Sequence, residues 1–260
     1  MKEGEFGKIR KAIKINKEVS MGNFAIEEKW PTRDSSIEDF SKTFFSCISD
    51  EYNTRHNFDR SKKENIFKNY IEDTLKNNEN KKLYAIEFGG SGSELFRGFS
   101  KDFFYKTIGI CLKDLRKISE KFSDKLNNHF VIEGDILDIF DKKIYNDINK
   151  KFNMKKVDLI ISRMMGAVYD FKKNEAILNN IARKWYSILN ENGLMFVQFA
   201  LPKVEINTEE LVHKWVGYIN QNFKDKIEIQ VEKNVFCLHK KFGAPEELPE
   251  YKPEEINTVK

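Results

Sequence analysis

The chain has 260 residues, enough for one domain of ordinary size with an appendage. Hydrophobic residues make up 40% and the chain carries 22 Phe, which supports a large core and excludes disorder throughout. The formal net charge is only +4, from 45 Lys and Arg against 41 Asp and Glu, far from the bias of a dedicated nucleic-acid binder.

No apolar run is long enough to span a bilayer. Residues 1–17 are charged throughout and lack the apolar stretch of a signal peptide. Cys47, Cys111 and Cys237 are scattered without metal-ligand spacing, so neither a disulfide framework nor a metal site is expected. These features together predict a cytoplasmic protein with no membrane partner. The charge is unevenly spread. Lys8, Arg10, Lys11, Lys14 and Lys17 form a basic head, and Glu246, Glu247, Glu250, Glu254 and Glu255 an acidic, Pro-punctuated tail over 244–260. Both ends are expected to be mobile.

In chain order, Ser35 followed three residues later by Glu38 predicts a capped helix start. Ile37, Phe40, Phe44, Phe45 and Ile48 continue it at helical spacing. A second amphipathic helix is expected over Arg60–Lys76. The polar run Asn77–Lys82 then separates a helical N-terminal appendage or lid, residues 1–80, from a domain spanning 81–243. Beyond it, Leu83–Phe88, Thr107–Leu112, His129–Ile132, Val157–Ser162 and Leu194–Phe199 read as strands. The helix-compatible stretches Ser93–Phe99, Leu115–Leu126, Ile136–Phe152 and Asn174–Asn190 lie between them. Strands separated by helices require crossover connections, hence a doubly wound, mainly parallel α/β sheet. A further helix, Thr208–Asn222, precedes Lys226–Val231 and Val235–His239, which are close enough to pair as a hairpin. The expected fold is therefore a mainly parallel seven-stranded sheet ending in an antiparallel C-terminal hairpin strand.

The stretch Ala85–Phe99 carries the chemistry. An apolar strand ends in Glu87, passes through Gly89, Gly90 and Gly92, and enters a helix. Glycines here let the chain turn sharply and let a ligand approach the backbone, and ligands of open α/β sheets bind beyond the strands' carboxyl ends. Leu95 stands where a dinucleotide fingerprint needs its third small residue, which disfavours NAD and FAD, and no Gly-Lys-Ser/Thr follows to make a P-loop.

With these residues in place, the chain resembles the class I S-adenosylmethionine-dependent methyltransferases over about residues 83–240. The first motif is matched by Glu87-Phe88-Gly89-Gly90-Ser91-Gly92, and the loop after the third strand by Gly134-Asp135-Ile136. The turn before the fifth strand is matched by Leu189-Asn190-Glu191-Asn192-Gly193. The resemblance implies S-adenosyl-L-methionine as cofactor, bound by Glu87, Gly89, Gly90, Gly92, Asp135 and Ile136, with Ser162 at the end of the fourth strand. Two positions depart from the pattern. The glycine loop carries Ser91 and Ser93, and Cys111 stands where an acid normally holds the ribose. Asp114 is the nearest carboxylate to replace it, although it serves equally well as the cap of the following helix.

The implied reaction is direct in-line methyl transfer to a small-molecule or protein acceptor. The family's DNA amino-methylating members carry Asp/Asn-Pro-Pro-aromatic where this chain has Ser162-Arg163-Met164-Met165, so nucleic acid is disfavoured as acceptor. Arg163 and Tyr169 are candidates for the acceptor pocket. His56, in the aromatic segment Tyr52–Phe58, is the candidate for proton transfer. His129, His213 and His239 read as structural. Two other readings stay open: a non-catalytic binding module on the same sheet, and an NAD-dependent oxidoreductase.

Overall fold

The computed structural model describes residues 35–48, 66–76, 82–111, 113–134, 142–153, 156–162, 182–198, 208–232 and 235–249. The first helix, α1 (Ile37–Phe44), starts one residue later than the sequence suggests. Ser36, not Ser35, is its cap: Asp39 N donates to Ser36 Oγ and Asp39 Oδ2 accepts from Ser36 N. The run Ser-Ser-Ile-Glu-Asp offers the same box in two registers. The observed one turns Phe40 and Phe44 inward.

A short 3-10 turn (Phe45–Cys47) follows, then α2 (Ile66–Lys76). The sheet begins with β1 (Tyr84–Phe88), followed by α3 (Ser93–Arg97), β2 (Lys106–Cys111), α4 (Ile118–Leu126) and β3 (His129–Glu133). Next come α5 (Lys142–Phe152), β4 (Val157–Ser162), helical residues 182–187, and β5 (Leu189–Gln198). The chain closes with α6 (Thr208–Phe223), β6 (Ile227–Glu232) and β7 (Val235–Lys240).

The seven strands lie in the order β3-β2-β1-β4-β5-β7-β6. Strands β1 to β5 are parallel, and β7 runs antiparallel to both β5 and β6. The expected turn at Leu189–Gly193 is drawn into β5. Val157 pairs with Leu189 and Leu159 with Leu194, so the β5 chain bulges here, and Asn192 sits at φ 60°. A bulge of this kind re-aims the strand without ending its pairing.

Each face of the sheet has its own core. On one side Phe88 stacks on Trp185 at 4.5 Å and Tyr84 meets Phe152 edge-on, beneath α5, α6 and residues 182–187. On the other, Phe40, Phe44 and Phe67 stack together and meet Phe196 of β5 edge-on. The described part of the N-terminal region is thus a layer packed on the sheet. The acidic tail is also anchored at its start, contrary to the mobility expected of it. Leu248 is fully buried, Tyr186 Oη donates to Pro245 O at 2.9 Å, and Glu247 pairs with Arg183. Apolar burial of Leu248 holds these residues where composition alone suggested a solvated end. Among the described residues, no helix is long and apolar enough to cross a membrane.

Candidate functional site

The strand order reverses direction at β1. From there the chain moves through β2 to β3 on one side, then crosses to β4 on the other. A crevice opens beyond the carboxyl ends of β1 and β4 at such a switch. Phe88 and Ser162 are paired there, with Cys111 and Glu133 paired at the ends of β2 and β3.

The glycine loop crosses this edge. Gly89 and Gly92 adopt φ of 99° and 74°, values that only glycine takes without strain. Gly89 N donates to Ile110 O at 2.8 Å, which ties the loop to β2. Glu87 is 3% exposed, and its carboxylate lies so close under Gly90 that a Cβ there would overlap it. Gly109 of β2, beside Glu87 in register, plays a part that the sequence reading missed: a Cβ on it would overlap the backbone of Ser91. A lone glycine inside an apolar strand is the available signal for such a close approach.

His129 holds the same loop from β3. Its Nε2 donates to Ser91 O at 2.8 Å, and Thr107 Oγ1 sits 2.7 Å from its Nδ1. A carbonyl only accepts, so the proton resides on Nε2, and in the neutral ring the Thr107 hydroxyl donates to Nδ1. The structural role expected of His129 is the one it has here.

Helix α3 is fastened to α4 by a buried polar cluster. Asp124, 1% exposed, accepts from Ser93 Oγ at 2.6 Å, from Arg97 Nη2 at 2.8 Å and from Arg116 Nη1. Arg116 also grips Asp114 with Nε and Nη2 at 2.9 and 3.0 Å, and Lys121 adds a third cation at 3.1 Å. The Arg116 guanidinium beside it holds the Asp114 carboxyl down at about 2, against the opposing effect of burial. Helix α4 begins at Ile118, so Asp114 does not cap it. Its carboxylate instead orders the loop between β2 and α4.

Cys111 lies among carboxylates. Burial raises its thiol to about 11, and the nearby charges of Asp114, Glu133 and Glu87 push the same way against Arg116. The thiol is therefore held protonated at neutral pH. Glu133, whose Oε1 accepts from Asp114 N at 2.9 Å, is a second residue missed from sequence. It closes β3 next to Cys111 and puts an exposed carboxylate on the rim. Ser162 is completely buried at the end of β4, and its Oγ has no hydrogen-bond partner among the described residues. The structure thus gathers Glu87, Gly89, Gly90, Gly92, Cys111, Asp114 and Ser162 on one edge of the sheet. His56, Asp135, Ile136, Arg163 and Tyr169 lie outside the described residues.

A cavity of about 10 Å³ elsewhere, among Cys47, Tyr70, Glu228, Cys237 and His239, has room for about one water and no metabolite.

No protein-family model matches the sequence, and no curated protein matches it. Solved structures that it resembles include a putative rRNA methylase from Clostridium thermocellum, with 12% identity over 66% of this chain and 92% of the other, at a TM-score of 0.40. An rRNA methylase from Streptococcus thermophilus shares 13% identity over 75% of this chain and 98% of its own, with a TM-score of 0.39. Human methyltransferase-like protein 13, solved with SAH, shares 13% over 68% and 78%, with a TM-score of 0.38. These likenesses are distant, and the fold stands on the strand order and registers described above.

Proposed function

We propose that the chain is an S-adenosylmethionine-dependent methyltransferase acting on a small-molecule or protein acceptor. The observation that carries this reading is the glycine loop laid over Glu87 and β2 at the switch in strand order, with Asp114 and Glu133 beside Cys111 at the end of β2. The donor set suits the cofactor. A sulfonium and an ammonium favour an acidic rim, and ribose hydroxyls need acceptors such as carboxylates.

When bound, S-adenosylmethionine supplies the activated methyl group. The residues of the chain bind and orient. Gly89, Gly90 and Gly92 let the ligand approach the backbone, and Glu87 accepts hydrogen bonds from beneath the loop. Asp114 and Glu133 form the rim over the ends of β2 and β3, with Arg116 fixing Asp114 in place. Asp135 and Ile136 are assigned to the adenine side. Ser162 is assigned to the floor of the crevice, where it closes β4 beside Phe88. His56, Arg163 and Tyr169 are assigned to the acceptor pocket. Alignment of the acceptor behind the methyl group supplies a large part of the rate, so no catalytic triad is required.

Calorimetric titration of the folded chain with S-adenosylmethionine and with NAD tests the reading. Binding of the first and not the second is expected. Glu87→Ala and Asp135→Ala should each weaken it by roughly 10-fold or more, the loss of a hydrogen bond to a charged group. Heat with NAD alone would make the chain an oxidoreductase, and heat with neither would leave it a binding module.

A further inference from the structure

Helix α4 is packed inside out. With about 100° between successive residues, Ile118, Phe122 and Leu126 share one narrow stripe. These three side chains are 88%, 66% and 70% exposed, and Leu115, just before the helix, is 57% exposed. The opposite side carries Glu120 and Asp124, and it is Asp124 that is buried, held by Ser93, Arg97 and Arg116. Three of the six large apolar side chains exposed among the described residues therefore lie on this one stripe, and a fourth, Leu115, just precedes it. Single exposed apolar residues need no explanation, but a contiguous patch of them marks an interaction surface.

The edges of the stripe say what covers it. Lys121 and Lys125, both exposed, run along one edge, and Ser119 and Ser123 along the other. Exposed Lys113 and Lys117 precede them. Asp124 faces the protein and Lys125 faces out beside the apolar stripe, while Lys121 reaches Asp114. A second copy of the chain is a poor occupant, because an antiparallel two-fold contact would set lysines against lysines and a parallel one lysines against serines, and neither supplies acids. The boundary between anionic headgroups and acyl chains offers the complementary pair, negative charge beside an apolar phase, in one plane.

We propose that α4 is a docking strip for an anionic lipid surface, with Ile118, Phe122 and Leu126 entering the acyl boundary and Lys125, flanked by exposed Lys117, meeting the headgroups. Such a helix lies on a membrane and does not cross it, so the short apolar run that rules out a span is no obstacle. The site is independent of the methyltransferase reading, since it uses none of the residues assigned to the cofactor.

Sedimentation of the full chain with phosphatidylcholine vesicles, with and without phosphatidylserine, tests this. The chain should sediment with the phosphatidylserine vesicles only, and added salt should release it. The double substitution Ile118→Ser with Phe122→Ser should abolish binding. Lys125→Gln should weaken it roughly fivefold. All three positions are exposed, and unchanged circular dichroism would show that the variants fold. Phe122→Trp provides a second reading: its added emission should shift to the blue with phosphatidylserine vesicles. Absence of sedimentation, or equal binding to both vesicles, would overturn the proposal. So would binding that survives the double substitution. A dimer in solution that the double substitution disperses would instead assign the strip to a second copy.

Discussion

Helices α1 and α4 carry the same kind of amphipathic pattern and use it in opposite ways. In α1, Phe40 and Phe44 face the sheet and stack with Phe67 against Phe196. In α4, Ile118 and Phe122 face out while Asp124 faces in. The difference lies in what each helix meets. The first meets an apolar sheet face, where burying phenyl rings is the dominant gain. The second meets Arg97, Arg116 and Ser93, where a carboxylate with three donors offsets its own desolvation. Turning α4 over would strip two guanidinium groups of that partner. A periodic pattern thus reveals that a helix has two faces, and its neighbours decide which one is buried.

The contrast can be broken from either side. Phe67→Ala, in the middle of the aromatic stack and fully buried, should cost about 3–5 kcal/mol in urea denaturation. Asp124→Ala should cost less, about 2–3 kcal/mol, because Arg97 is partly solvated and can recover water. It should also change the acid response. The Asp114 and Asp124 carboxyls both titrate below their ordinary values, so their contribution is complete above the unfolded value near 4 and is lost as pH falls through their lowered folded values, about 2 for Asp114. Denaturation midpoints measured down through that window should fall less steeply in Asp124→Ala than in the parent chain.

Gly109→Ala forces a methyl group into the backbone of Ser91 and should cost about 1–3 kcal/mol, with a displaced glycine loop. Weaker S-adenosylmethionine binding in that variant would tie the loop's position to the cofactor. The smallest effect is expected at the exposed stripe. Ile118→Ser and Phe122→Ser should each change stability by no more than about 0.5 kcal/mol, although the same change at Phe40 would unfold much of the chain. A large loss at Ile118 would mean that its stripe is covered within the monomer.

Much of the scaffold was legible. Val157–Ser162 has the strand limits that its apolar run predicts, and the closing pair Lys226–Val231 and Val235–His239 is shifted or extended by one residue. Glu87 and the glycines marked the loop because glycines between a strand and a helix allow a sharp turn and a close approach to the backbone. Less legible were features that depend on two distant segments meeting. Gly109 matters only because Ser91 crosses it, and Glu133 joins the site only because β3 lies beside β2. The capping box slid by one residue because the choice between Ser35 and Ser36 falls to the aromatic face that α1 must present.

By itself the sequence determined the alternation of strands and helices, the parallel sheet with its reversed final pair, and the loop that begins at Glu87. These follow from local periodicity and from backbone freedom at glycine, which neighbours in sequence are enough to set. Only the tertiary structure decided that Asp114 is tied to Arg116, that the start of the acidic tail is pinned by Leu248, and that α4 turns its apolar face outward. Each of those outcomes is a competition between burial and charge pairing across segments far apart in the chain, and its sign is fixed by which partners come within reach.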